Sequence, residues 1–573
     1  MKYNKLIILI FLLSTFAACK KLDTGLQNPN SVDPSLANVD LLLNNVQVTF
    51  PGIFNTASDI GGQLTRQQIM FGPLYQNAYS PTTFDGIWNS AYSGAIIDVN
   101  TLIPLALTQK KYIQAGIAQV LKAYIMGTLV DYFGDVPNSE AGLGQDNLNP
   151  KADPGAQVYL NVIKLLTDAI ANFTRPISDY GSGPINDLYY PGLDTKDANA
   201  AERARWATAA KTLMLKFFMQ TRLVDAANVT AKVTALMTAN DLINTTAQDF
   251  QFKYSTVNNA PDSRHPHYAT NYNNAVTGSN SANDYIGDYF MWAIGIEKSG
   301  TGSVTSLDPR RRFYFYRQRT NYADVNPQSS SCSIQAPPGH YSASTPFCLI
   351  GAGYWGRDHG DNGGIPPDGQ YRTTWGVYPA AGDFDASQNT SVNNTRGGRG
   401  AGIDPIWPSC FTSFVEAEAA LKLNILVRGT PRFLLEQGIR ASIAKVIAFP
   451  ATVAVTVPTA NVPTPAGIDN YVNNVLASYD AATTDAQRLE IIVKEYYLAA
   501  WGNGIEPYNN YRRTGSPNNF QPVLTTPNPG FFLRSMLYPS VYINRNVNAP
   551  AQKNPGAAAN KVFWDTNPDN FIK

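Results

Sequence analysis

The stretch IQAGIAQVLKAYIMGTLVDYFGDVPNSEA, residues 113–141, decides the fold class. Within it Ile117, Leu121, Tyr124, Thr128 and Tyr132 recur at intervals of three and four, which sets them on one stripe of a helix. Ala115, Ala118, Ala123 and Gly127 are small enough to let a neighbouring helix approach closely. Gly134 and Pro137 end the run. A helix with these features needs helical partners, and the rest of the chain supplies them.

Asp153-Pro154 reads as an N-cap followed by proline at the first helical position. Val158, Val162, Leu165, Leu166, Ala169 and Phe173 then form the inward stripe. A third helix near 200–225 carries Trp206, Ala210, Leu213, Met214 and Phe217. In the C-terminal half, Phe411 to Val427 reads as helical and Gly429 stops it. Thr430-Pro431 caps the next helix, which runs to about Phe449. Thr484 and Gln487 have capping-box spacing, ahead of a stripe of Leu489, Ile492, Val493, Tyr496 and Ala500. Helices in pairs, with no strong strand pattern and no fixed repeat period, predict an all-α-dominated, α-solenoid-like scaffold.

Residues 255–408 break the pattern. They are rich in Asn, Gly, Ser, Pro, Tyr and Trp, with little helical periodicity. So long an irregular stretch is usually functional or disordered, and its aromatics argue against disorder. It is expected to face the ligand. The tail from Pro507 onward is again rich in Pro and Asn and is expected to wrap the helical body.

Composition narrows the function classes. Lys plus Arg is 44 and Asp plus Glu is 43, a net charge of +1 that argues against a nucleic-acid binder. Charged residues make up 15%, so the polar surface must rest on Asn, Ser, Thr, Gln and the 31 tyrosines. The mean hydropathy is −0.21, which excludes a multi-span transporter.

The one outstanding apolar run lies at the N-terminus. Lys2 and Lys5 precede Leu6 to Leu13, too short to span a bilayer and of secretory-signal form. Phe16-Ala17-Ala18-Cys19 then resembles a bacterial lipobox. That implies a signal peptide over 1–18, cleavage before Cys19, a diacylglycerol on its sulfur and acylation of the new amine. Two or more acyl chains anchor a protein stably. An ordinary secretory signal is the alternative. Residues 19–38 read as the lipidated tether and 39–573 as a single folded domain. Lys20, where Asp would signal inner-membrane retention, leaves the outer membrane as the expected location.

Three other cysteines remain. Cys332 and Cys348 share one Gly/Pro/Ser-rich stretch and are the preferred disulfide pair in an oxidising exterior. The count is odd, so at least one of the three, Cys410 on this pairing, stays unbonded or bonds elsewhere. There is no CxxC spacing for a zinc or redox site.

A series of motifs carries a family resemblance. Ala118 to Ala141 is close to a helix followed by D-x-F-G-D-x-P-x-S-E-A. Arg205 to Leu223 looks like a W…A…L…R helix. Leu307-Asp308-Pro309-Arg310, Phe414 to Leu421 (FVEAEAAL), Leu435 to Ser442, Arg512-Arg513-Thr514-Gly515 and Leu533 to Asn546 follow in order. In this order, behind a lipobox, the chain resembles the SusD/RagB-like outer-membrane lipoproteins. It departs at Asn138 and Ser540, where that family often has Tyr and Glu. The resemblance implies a single domain of tetratricopeptide-like helix pairs facing the cell exterior. It also implies a TonB-dependent transporter partner, over which the protein sits as a hinged lid. Members of that family capture oligosaccharides, in some branches peptides, and are not enzymes.

Sugars present CH faces that stack on aromatic rings and hydroxyls that suit amide, carboxylate and guanidinium partners. The ligand-binding candidates are therefore Tyr75, Trp292, Tyr354, Trp355, Arg357, Asp358, Tyr371, Trp375 and Trp407, with Tyr378 among them. Aromatics that merely pack the loops down are the competing reading. Trp88 and Tyr92 read as core. The stretch Gly351-Ala352-Gly353-Tyr354-Trp355-Gly356 fits GxGxxG, but no helix follows to hold a pyrophosphate. Asp358, Asp361 and Asn362 offer oxygens suited to calcium, against the simpler reading of a solvated turn; no other cofactor is expected. His265 and His267 flank Pro266 without a third metal ligand. Three alternatives stay open: a peptide-capturing lid; a surface glycoside hydrolase, which would need two carboxylates across a cleft; and a purely structural partner that binds its barrel and no ligand.

Overall fold

The computed structural model describes residues 37–180, 185–191, 200–273, 284–297, 307–321, 336–348, 350–361, 372–554 and 560–572. It is dominated by helices. The first half holds α1 (Val39–Leu64), α2 (Ile97–Thr108), α3 (Tyr112–Phe133), α4 (Gly155–Phe173), α5 (Ala200–Gln220) and α6 (Ala226–Ala239). The second half holds α9 (Ser409–Lys422), α10 (Pro431–Thr452), α11 (Pro465–Ala481), α12 (Asp485–Ala499) and α13 (Ile505–Thr514). Between them lie β1 (Phe250–Lys253), α7 (Pro266–Asn273), α8 (Asp288–Gly295), β2 (Phe315–Tyr316), β3 (Thr374–Trp375) and β4 (Ile403–Trp407).

The helices pack in consecutive pairs, α3 along α4, α4 along α5, and α9 along α10. α3 is apolar and long enough to cross a membrane, but it is buried on all sides by protein. Its glycines make this possible. A Cβ at Gly116 would lie 2.6 Å from the ring of Phe173 on α4, and one at Gly127 would strike Phe217 on α5. Gly134 ends the helix at φ +76°, its N–H donating to Val130 O at 2.8 Å.

Two elements differ from the sequence expectation. Asp153 does not cap α4. Its carboxylate accepts from the N–H groups of Asn138 and Ser139 (2.8 and 2.7 Å), pinning the turn after α3, while Asp135 accepts from Gly155 N at 2.8 Å. The chain beyond Gly504 is first helical, as α13. Pro507 sits in its opening turn, where the missing N–H has no intrahelical partner to lose.

Several residues that carry the family-like motifs are buried nodes of ion pairs and hydrogen bonds. Glu418 of α9 accepts from Arg222 (2.7 Å) and from Arg513 of α13 (3.0 and 2.8 Å). Arg310 binds Asp308 in two bonds (2.9 and 2.5 Å), with Ser442 and Glu495 beside it. Arg512 donates to the backbone carbonyls of Asp131 and Arg534 (2.7 and 2.8 Å) and stacks on Tyr508. These side chains tie distant helices together.

Between β1 and β4 the chain makes a long excursion and returns beside its starting point. The two strands pair antiparallel, Phe250 opposite Trp407 and Lys253 opposite Ile403. The excursion has its own core of Tyr289, Phe290, Phe315, Trp375 and Tyr378, closed by Tyr497 and Trp501 at the end of α12. Cys348 is disulfide-bonded. Cys332 and Cys19 lie outside the described residues. Cys410 is a free buried thiol, and burial pushes its pKa up to about 12.

Candidate functional site

The expected site residues occupy three kinds of place. Trp375 and Trp407 are core. Trp375 is stacked between His267 (3.8 Å) and Trp501 (3.9 Å), and its indole N–H reaches Asp284 at 3.1 Å. Trp407 packs edge-on against Phe411 and donates to Thr412 at 3.0 Å. Tyr354 lies under the guanidinium groups of Arg311 and Arg317, 4.8 and 4.9 Å from its ring, and Tyr378 stacks on Tyr314. Trp355 is buried, its backbone N–H bonded to Thr373 Oγ1 at 2.8 Å. Arg357 stacks on Tyr285 at 4.4 Å. Trp292 is half-buried beside Tyr289. Tyr371 and Asn362 lie outside the described residues.

Asp358 is a buried acid. It accepts from Cys348 N at 2.9 Å and from Gln521 Nε2 at 2.5 Å, and burial pushes its pKa up to about 7. Among the described residues no group of three or more His, Cys, Asp or Glu side chains is placed to hold a metal ion.

Tyr75 lines a hollow of about 420 Å³. Its other walls are Arg66, His340, Tyr511, Asn518, Phe520 and Phe571, with Pro522, Pro527 and Pro529. The geometry starts at the end of α1. There Arg66 takes a left-handed turn (φ +64°) that drives its side chain inward, to 3% exposure. Its Nε donates to Gln521 O (3.1 Å), Nη1 to Leu64 O (2.5 Å) and Nη2 to Tyr75 Oη (2.8 Å). Its guanidinium lies 4.9 Å from the Phe520 ring centre. The segment after α13 is stitched over this floor. Tyr75 N donates to Pro529 O, and Leu524 N donates to His359 O. His340 Nε2 pairs with Val523 O at 2.9 Å. Phe571, 38% exposed, and the exposed Asn518 stand at the rim.

The wall thus combines aromatic faces, proline rings, one amide and one buried cation. Arg66, His340, Asn518, Phe520 and Phe571 escape a reading of the sequence because they come from four separated segments. The aromatic and proline-rich composition of 507–532 is the one signal that points to them.

A second hollow, of about 350 Å³, is lined by Trp88, Asn89, Tyr92 and Tyr542. There Trp88 packs against Tyr92 and Tyr542, with ring centres 4.7 and 4.6 Å apart.

Comparison with known proteins follows from this fold. A family model described as "Starch-binding associating with outer membrane" matches residues 29–330. A second, "Susd and RagB outer membrane lipoprotein", matches residues 407–547. Among solved structures, a chitin-binding protein is similar with a TM-score of 0.64 at 18% identity, over 92% of this chain and 100% of its own. A chitin-binding SusD homologue from Flavobacterium johnsoniae gives 0.59 at 18% identity, over 91% and 99%. A SusD/RagB family protein from Bacteroides thetaiotaomicron gives 0.61 at 17% identity, over 93% and 100%. No curated protein matches the sequence. By the match of the first model over more than half its length, in a helical fold shared with these structures, the chain belongs to the SusD/RagB family of outer-membrane lipoproteins.

Proposed function

We propose that this protein captures saccharide at the cell surface, holding it in the hollow floored by Tyr75 and Arg66. It then passes the ligand, as a lid, to a TonB-dependent outer-membrane transporter. The observation that carries this reading is the chemistry of the hollow: the aromatic side chains of Phe520 and Phe571, with the buried Tyr75 in its floor, beside the Asn518 amide. Pyranose rings stack on such faces and present hydroxyls to such amides. The wall carries no carboxylate among the described residues, whereas glycoside hydrolysis uses two facing carboxyl groups. This favours capture without cleavage. Chitin binding by two structurally similar proteins is consistent with a saccharide ligand here. On this reading Cys19 carries the lipid, residues 19–38 are the tether, and the exterior face of the outer membrane is the site of action.

Affinity electrophoresis against a panel of plant, fungal and host polysaccharides tests the proposal. Retardation by one of them, without release of reducing sugar, supports capture. No retardation by any polysaccharide and no heat of binding with their oligosaccharides would sink it. Two companion measurements address the setting. Cys19→Ser protein should leave the outer-membrane fraction, and the native protein should co-purify with a TonB-dependent barrel.

A further inference from the structure

Arg66 is an unusual buried cation. The buried arginines Arg222, Arg310, Arg317, Arg513 and Arg534 each have a carboxylate oxygen within 4 Å. Arg66 has none among the described residues. Its partners are two backbone carbonyls and a phenol. Arg512 also lacks a carboxylate at that range among the described residues, but it is sandwiched between Tyr508 and Trp564 and is not in the wall of this hollow. Arg66 forms part of that wall.

A cation withdrawn from water without a counter-ion carries a penalty of several kcal/mol. Hydrogen bonds to neutral acceptors offset only part of it. An anion that enters beside it offsets part of this penalty, because attraction is strong where water is excluded. A guanidinium has five N–H groups. Three are committed here, which leaves one on each terminal nitrogen. The nearest acid along the bonded chain is Asp358, reached only through Gln521, whose backbone takes Arg66 and whose side chain takes Asp358. Burial keeps that acid partly protonated near neutrality, so it does not balance the charge in full. No lysine or second arginine lines the hollow, so it admits one anionic group rather than a polyanion.

We infer that the hollow is built for a saccharide that bears a carboxylate, with Arg66, oriented by Tyr75, receiving the carboxylate while Phe520 and Phe571 hold the sugar. This rests on the proposed saccharide-binding role of the same hollow.

Matched pairs of ligands separate the two ideas. Titration calorimetry of the purified protein would use tetragalacturonate, a glucuronate-bearing oligosaccharide and sialyllactose, each against its carboxyl-reduced or neutral counterpart. The expected result is that at least one acidic member binds tenfold or more tighter than its partner, and that added salt weakens it selectively. Arg66→Lys, which keeps the charge but not the fork of donors, should lose most of that preference. The salt dependence needs no variant, so the test survives if Arg66→Lys folds poorly. Equal or tighter binding of every neutral member would overturn the inference and leave saccharide capture standing. Failure of all saccharides would remove both. Binding of a short acidic peptide in preference to every acidic saccharide would also overturn it.

Discussion

The imidazole of His267 lies flat on the indole of Trp375, ring centres 3.8 Å apart and planes within 9°. Its two nitrogens meet two carboxylates, Nδ1 to Asp284 at 2.9 Å and Nε2 to Asp59 at 3.0 Å. Burial alone would lower the pKa of this histidine. Asp284 and Asp59 outweigh it and hold the group well above its ordinary value. The ring is therefore a cation at neutral pH, resting on an aromatic face and clamped from both ends.

That arrangement fixes a pH dependence. The folded pKa lies above the unfolded value, so the contribution is complete below about pH 6.5 and fades as pH rises through the folded pKa. His267→Gln should lower stability by about 3 kcal/mol near neutrality, since it leaves Asp284 buried without its partner. The difference between native protein and variant should shrink as pH is raised. Denaturant unfolding at a series of pH values checks this, and a difference constant with pH would refute it.

Glu418 gives the opposite slope. Burial opposes its ionisation, but Arg513 and Arg222 hold its pKa down to about 2. A depressed carboxylate stabilises above its unfolded pKa, near 4.5, and loses that contribution as pH falls toward 2. Glu418→Gln should cost about 3–5 kcal/mol at pH 7 by leaving two buried guanidinium groups unpaired. The penalty should be smallest in acid. Thermal unfolding across pH 3 to about 7 reads both effects.

The aromatic residues divide into two behaviours. Trp375→Ala should lower stability by about 3–5 kcal/mol, because it empties the centre of the excursion's core. Any loss of ligand should then track loss of fold. Phe571→Ala should leave the melting temperature nearly unchanged and weaken ligand by about tenfold, as expected for a rim ring worth roughly 1–1.5 kcal/mol. Parallel calorimetry and melting curves distinguish these outcomes.

Helix spacing predicts a paired rescue. Gly127→Ala places a methyl against Phe217 and should cost about 1–3 kcal/mol. Phe217→Leu in the same chain should recover part of the loss, giving a non-additive double-mutant cycle. Additive losses would mean that α3 and α5 adjust independently.

Cys348 should emerge from non-reducing digestion joined to the peptide that contains Cys332, while Cys410 stays unmodified by alkylating reagents until the protein unfolds. Peptide mass mapping checks both.

Much of the helical body is legible in the sequence. α3, α4, α5, α10 and α12 declare themselves through apolar stripes and caps such as Thr430, whose hydroxyl accepts from Phe433 N at 3.2 Å. α1 and α13 do not. α1 contains Pro51, several glycines and β-branched residues, and its face is stabilised by packing rather than propensity. α13 is rich in Asn, Arg and Tyr, which read as loop until Glu418, Gln220 and Asp131 are seen to satisfy them. The hollow is less legible. Tyr75 is visible as an aromatic near a turn, but Arg66 is one basic residue after a helix, and Phe571 lies about 500 residues away along the chain. Trp355 and Trp375 sit in Gly- and Pro-rich sequence that resembles a surface loop. Only the existence of a second core, invisible in periodicity, places them inside.

Two contacts join the start of the described fold to its C-terminal helices. Ser58 on α1 accepts a hydrogen bond from Gly504 N, next to α13, and Thr65 O accepts from the Tyr497 hydroxyl. The first helix among the described residues therefore leans on residues that leave the ribosome much later. α2 and α3, made soon after α1, cover part of its inner face, and the part toward α13 is covered only when those residues arrive. The cover of α1 is therefore complete only once the chain around α13 has been made.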